Sequence, residues 1–167
     1  QLALSAGLFA RPKIGQKIPP RVGGWSLQNR LSCPAAFSFR LAPKPAVVIS
    51  FYLSYLTAED LAPIEAAAEA LEIRGFDVFG VFIPSLKEPQ AAAWLQRQMR
   101  FIAPVAILNV TAFSGKGPDG ASPLDIAEVP VFQMALATST RAAWADTERG
   151  LSPAELAMHV VLPEVDG

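Results

Sequence analysis

The order of apolar and polar positions changes character at residue 46. There the run AVVISFY, residues 46–52, is apolar on both faces and rich in β-branched and aromatic side chains, as in a strand buried on two sides in a parallel sheet. Leu61, Ile64, Ala68 and Leu71 then recur at helical spacing, with Glu65, Glu69 and Glu72 on the opposite face. Asp60 is placed to cap this helix, Pro63 is tolerated in its first turn, and Gly75 stops it. FDVFGVFI at 76–83 predicts a second strand, ended by Pro84. Ala92, Leu95, Met99 and Ile102, following Pro89, predict a second amphipathic helix closed by Pro104. VAILNV at 105–110 predicts a third strand, and residues 129–136, starting at Pro130, a fourth. Strands alternating with helices imply crossover connections and a sheet covered on both faces. The expected fold is α/β, a parallel doubly wound sheet of about four strands, Rossmann-like or flavodoxin-like, with spatial order 2-1-3-4 in order of appearance. Further on, residues 140–146 predict a helix containing Trp144, and Ser152-Pro153-Ala154-Glu155 opens another with Ser as cap and Pro at the first helical position. That last helix is expected to end near Val161, because Pro163 disfavours helical geometry at Leu162.

Composition refines this picture. With 167 residues the chain can bury one core. Of its 15 prolines, six precede Ala46, so residues 1–45 read as a Pro-rich lead-in or linker, 46–148 as the α/β domain, and 149–167 as a short helix and the start of a further segment. The chain is 51% apolar and 17% charged, against about 25% charged in an average soluble protein, so part of its surface is expected to meet other protein. Residues 1–45 carry seven bases (Arg11, Lys13, Lys17, Arg21, Arg30, Arg40, Lys44) and no acid, whereas the rest carries all 15 acids. These bases are scattered and lack interleaved aromatics, which argues against nucleic acid and for a strap lying on an acidic surface. No apolar run spans a bilayer, and the start has neither Met nor a basic leader, so no membrane insertion or export is expected. Cys33 is the one cysteine, which fits a reducing, cytoplasmic setting.

In a parallel sheet, ligands gather beyond the carboxyl ends of the strands, which singles out residues 53–57, 84–88, 111–128 and 137–141. Ser85 and Lys87, with Asn109, Thr111 and Ser114, put hydrogen-bonding groups at those ends, suited to an anionic or amide-bearing ligand; the plainer alternative is that they cap turns. Residues 115–120, GKGPDG, match G-x-G-x-x-G formally, but they begin several residues after the strand, Pro118 blocks a helix start, and no acid follows at the required distance. They are read as a surface loop. No Walker-type sequence is present, so ATP is not bound by that route. Phe113, Trp94 and Trp144 suit either an apolar pocket or a core. His159, Glu164 and Asp166 form a metal-capable cluster, suited to a divalent first-row ion or to proton removal, although their spacing straddles the expected helix end and equally fits a solvated turn.

VFIPSLKEP at 81–89, ILNVTAFS at 107–114, VPVFQMALATSTRAAW at 129–144 and, most specifically, RGLSPAELAMHVVLPEVDG at 149–167 resemble the large subunit of cobaltochelatase, the CobN family, which is related to the porphyrin-binding subunit of magnesium chelatase. Members are far longer, so the resemblance implies an internal fragment that depends on the rest of the large subunit. It implies a complete subunit that binds the tetrapyrrole hydrogenobyrinic acid a,c-diamide and inserts Co2+ as substrate metal. ATP with Mg2+ would be bound by a separate AAA+ ATPase subunit, assisted by an integrin-like-domain subunit, in aerobic cobalamin biosynthesis. Where the family usually has Arg after FY, this chain has Leu53, and His159 stands where Asn is usual. Within the cluster, Glu164 is therefore the residue to which the resemblance assigns catalysis, with His159 and Glu164 as the candidate metal ligands. A non-catalytic scaffold of the same subunit, or of a magnesium chelatase subunit, is the competing expectation.

Overall fold

The structure is a computed structural model that describes residues 19–28, 44–137, 139–148 and 150–166. Cys33 and the basic residues Arg11, Lys13, Lys17, Arg30 and Arg40 lie outside the described residues, as does the side chain of Asp166.

Among the described residues, five strands form one sheet: β1 (Gly23–Trp25), β2 (Ala46–Tyr52), β3 (Asp77–Ile83), β4 (Ala106–Asn109) and β5 (Val131–Gln133), in the order β1-β3-β2-β4-β5. The four strands expected from the sequence are mutually parallel and lie in the expected order, with Ile49 opposite both Gly80 of β3 and Leu108 of β4. β2 is buried almost throughout because it sits between two neighbours under helices on both faces. Val48, Val81, Ile83 and Ile107 point to one face and pack under helix α3 (Pro89–Ile102) through Ala91, Trp94, Leu95 and Met99. Ile49, Phe51, Val78 and Phe82 point to the other face and pack under α2 (Ala62–Ile73) through Ile64 and Ala68.

The fifth strand comes from within residues 1–45, the stretch read as a Pro-rich lead-in or linker. β1 pairs antiparallel with β3, Gly23 opposite Phe82 and Trp25 opposite Gly80. Its sequence, GGW, carries the strand-weakening glycines that hide a strand from pattern reading. The glycine is needed there: a Cβ at Gly23 would lie 2.4 Å from the Phe82 ring. Trp25 is fully buried and meets Phe51 edge-on at 6.1 Å between ring centres. The Arg21 guanidinium donates to both carboxylate oxygens of Glu88 at 2.9 and 2.7 Å, so one base of the lead-in does rest on an acid of the domain.

Three local expectations are corrected. A one-turn helix α1 (Leu53–Thr57) follows β2 without a loop, and Leu61, not Asp60, occupies the cap position of α2, with no side-chain cap bond. β5 is confined to three residues and is exposed, since at the sheet edge it has one neighbour. The last helix does not stop near Val161: α5 (Pro153–Leu156) passes through a π turn (Ala157–Val161) into α6 (Leu162–Asp166). Pro163 cannot donate to a preceding carbonyl, and the widened turn, in which Leu162 N–H bonds Ala157 O, carries the helix past it. α4 (Arg141–Ala145) is capped by Thr140, whose hydroxyl accepts from Ala143 N–H at 3.2 Å.

Candidate functional site

Because the four strands run the same way, the segments after β2, β3 and β4 emerge at one rim, and Ser85 and Asn109 lie at that same end. In open α/β sheets the ligand crevice falls where successive connections leave in opposite directions, here between β2 and β4. The chain fills this crevice itself. Asn109 Oδ1 accepts from Ser50 Oγ at 2.8 Å, from Thr111 N–H at 3.3 Å and lies 2.9 Å from Thr111 Oγ1. Its Nδ2 donates to Phe113 O at 2.9 Å and to Gln133 Oε1 at 2.8 Å. Ser50, Asn109 and Thr111 have no exposed surface. One amide thus joins β2, β4, β5 and the start of the following loop, and both of its hydrogens are used. Asn109 and Thr111, expected at the sequence level to meet a ligand, are placed where they hold the loop.

An open cleft lies one step away, on the α3 face. A cleft of about 640 Å³ is lined by Leu86 and Lys87 of the β3–α3 turn, Gln96 of α3, and residues 115–119 and 121–123 of the loop after β4. Its size falls within the usual range for small-molecule sites. Two short turns shape it. Ser85 Oγ accepts from Lys87 N–H at 3.1 Å, and Ser114 Oγ accepts from Lys116 N–H at 3.2 Å. Gly115 is buried with φ +69°, and a Cβ there would lie 2.5 Å from Leu86 Cβ, so only glycine allows this approach. Of the sequence-level candidates, Lys87 lines the cleft while Ser85 and Ser114 shape its turns; Gln96, Gly115, Lys116 and Ser122 were not anticipated. The GKGPDG stretch, set aside as a plain surface loop, forms one wall. The repeated Ser-x-Lys at 85–87 and 114–116 was the available signal.

Trp94 belongs to the core beneath α3, and Trp144 is 52% exposed, so neither lines this cleft. On α1, burial first and the nearby Asp60 carboxylate second push the Tyr55 phenol above its ordinary pKa.

Glu164 is exposed and His159 half-buried on the continuous helix 153–166. Among the described residues, no three His, Cys, Asp or Glu side chains come together in a way that could hold a metal ion. The buried acid of this region is Glu155, in a reciprocal capping box: Ser152 N–H donates to its Oε2 at 2.9 Å, and Glu155 N–H donates to Ser152 Oγ at 3.2 Å. Ser139 Oγ also lies 3.3 Å from Glu155 Oε1, joining the segment after β5 to the start of this helix. Among the described residues, no helix is long and apolar enough to cross a membrane.

Two curated relatives are both named aerobic cobaltochelatase subunit CobN. The protein from Sinorhizobium sp is 36% identical over 126 residues, 74% of this chain and 10% of the relative. The protein from Pseudomonas aeruginosa is 33% identical over 127 residues, 75% of this chain and 10% of the relative. The chain therefore spans about a tenth of the length of these relatives. A solved structure, the catalytic subunit of cobaltochelatase from Mycobacterium tuberculosis, superposes with a TM-score of 0.60 at 22% identity, covering 89% of this chain and 12% of that one, which supports the fold. The CobN/Magnesium Chelatase family profile matches residues 28–167, well over half of the chain, and together with these relatives it shows that this chain belongs to that family.

Proposed function

We propose that this chain is the part of a cobaltochelatase large subunit that presents one edge of the tetrapyrrole to the metal-insertion site. The observation that carries this reading is the cleft at the carboxyl rim, built from the β3–α3 turn and the loop after β4 in a chain whose relatives are named cobaltochelatase subunits. On this reading the substrate is hydrogenobyrinic acid a,c-diamide and the inserted metal Co2+. ATP and Mg2+ are handled by a partner AAA+ ATPase, acting with an integrin-like-domain subunit in the cytoplasm. Ser85, Lys87, Asn109, Thr111 and Ser114 serve substrate binding, Lys87 from the cleft wall and the others by fixing the turns around it.

Insertion requires Co2+ to lose water while two ring N–H protons depart, and a carboxylate can act as transient oxygen ligand or as proton acceptor. Glu164 is assigned this role, with His159 on the preceding turn as an accessory ligand. Its exposure leaves it accessible to a macrocycle seated against the helix. In the large subunit carrying this chain, Glu164→Gln should bind tetrapyrrole normally and lose cobalt insertion, at least a hundredfold in rate by the usual size of acid–base contributions, about 10² or more. Insertion at the unaltered rate removes Glu164 from the mechanism.

A second reading is favoured by the exposed apolar side chains after β4. Val131 and Phe132 on β5, together with Trp144, Leu156, Val160 and Val165, are large apolar side chains exposed by 40–80%. Exposed apolar side chains of this size suit docking against other parts of the large subunit, with the chain acting as scaffold. It predicts a chain that leaves the tetrapyrrole unbound.

A further inference from the structure

In a parallel pair, alternate residues of a strand bond to a given neighbour, and the backbone groups of the residues between them point the opposite way. On β5 the bonds to β4 begin with Ile107 N–H donating to Pro130 O at 3.0 Å and end with Met134 N–H donating to Asn109 O at 2.8 Å. Val131 lies opposite Ile107 and Gln133 opposite Asn109. The ladder therefore uses Pro130, Phe132 and Met134, while the N–H and C=O groups of Val131 and Gln133 face away from β4. β5 is the last strand of the sheet, and among the described residues no backbone bond reaches these outward groups.

The two edges of the sheet are built differently. β1, at the other edge, is buried and follows Pro19, Pro20 and Arg21, features that keep an edge from pairing further. β5 keeps a regular register without a bulge, and the sequence from 129 to 140 carries no charge. The N–H that Pro130 lacks belongs to the β4 side, so the proline leaves the outer edge open. Val131 stands beside Ile107 on the α3 face and Phe132 beside Leu108 on the α2 face, both of them exposed.

We propose that β5 receives a further strand from elsewhere in the same large subunit: an extended segment, apolar on both faces, bonded to the backbone of Val131 and Gln133. This rests on the chain being part of such a subunit and is independent of the tetrapyrrole. Outward donors and acceptors on alternate residues match an extended main chain. Apolar neighbours on both faces, with no charge along the edge, call for a segment like β2 rather than an acidic or basic peptide. On that reading the chain is about a tenth of its polypeptide, as it is of its relatives, and the remainder supplies the segment at high effective concentration. A second copy fits less well, because so short an edge does little to offset the freedom lost when separate molecules join.

Amide hydrogen exchange resolved to single residues tests this in the dilute chain and in the large subunit carrying it, both without tetrapyrrole. In the dilute chain, Val131 and Gln133 should exchange close to the open-chain rate, with Phe132 and Met134 slowed by their bonds to β4. In the large subunit, Val131 and Gln133 should slow by about a hundredfold and Phe132 and Met134 by much less. Val131→Pro removes one outward donor and leaves the bonds to β4 intact. It should leave the melting temperature of the chain unchanged and speed exchange at Gln133 in the large subunit about tenfold. Fast exchange at Val131 and Gln133 in the large subunit, equal slowing at all four residues, or a Gln133 amide indifferent to Val131→Pro would each overturn the added strand. Protection already present in the dilute chain, or lost on dilution of the large subunit, would overturn its source by assigning the edge to this chain itself or to a second copy. Should the exchange pattern hold while the tetrapyrrole leaves the chain unbound, the added strand stands and the macrocycle reading fails.

Discussion

Asn109 joins four parts of the structure through one side chain, and its replacement tests how much of the rim it holds. Asn109→Ala strands the buried Ser50 hydroxyl, while the Phe113 carbonyl keeps its bond from Thr111 Oγ1. At about 1–3 kcal/mol for a buried group left unsatisfied, the expected loss is about 2 kcal/mol in chemical denaturation. A loss within experimental error would mean that the crevice between β2 and β4 is wet. Gly115→Ala is expected to cost about 2 kcal/mol from its left-handed backbone alone, and the added methyl must displace Leu86. Tyr55 gives a pH test. Its phenol is raised in the folded state by burial and by Asp60, so the folded chain holds this proton at pH values where the unfolded chain has released it. The associated stability is complete below pH 10.0 and declines as pH rises above that value. Unfolding followed from pH 9 to 11.5 should show a downward slope that is smaller in Tyr55→Phe. The residue types at the rim were legible in the sequence, but their duties were not. An Asn at a strand end looks the same whether its amide faces a ligand or the side chains and loop backbone of its own chain, and only the register of β4 against β2 and β5 decides between them.

At the level of elements, the apolar runs of β2, β3 and β4 and the helical spacing of α2 and α3 were readable because burial on two faces or one leaves a period in the sequence. Two elements escaped for reasons that are also physical. β1 contains two glycines, of which Gly23 allows close approach to Phe82, and a pattern that signals breakage locally was stabilised by tertiary contact. Pro163 was read as a stop, yet a π turn before it removes the conflict between its ring and the preceding carbonyl. The start of this last helix, by contrast, was correctly placed from Ser152 and Pro153, because a cap is a local interaction. Ser152→Ala removes one half of the box. It should cost about 1 kcal/mol and speed amide exchange at Glu155 and Leu156 about fivefold, with exchange in β2 unchanged. Equal acceleration in β2 would show that the cap stabilises the whole chain rather than its own helix.

For the molecule as a whole, the arrangement separates a well-covered sheet from an open flank. α2 and α3 shield β2, β3 and β4, while β5 and helix 153–166 leave Phe132, Leu156 and Val165 exposed. That flank accords with the low charge content and with a chain spanning about a tenth of its relatives. At high concentration the chain is expected to self-associate through it, and a single monomeric species in sedimentation would count against this. The rim cleft sits on the shielded part, where the two lysine-bearing turns are fixed by the strands behind them. The most direct test of the tetrapyrrole reading is therefore an absorption titration of hydrogenobyrinic acid a,c-diamide with the chain. The account predicts a saturable one-to-one spectral change that weakens as salt is raised; an unchanged spectrum at saturating protein would contradict it.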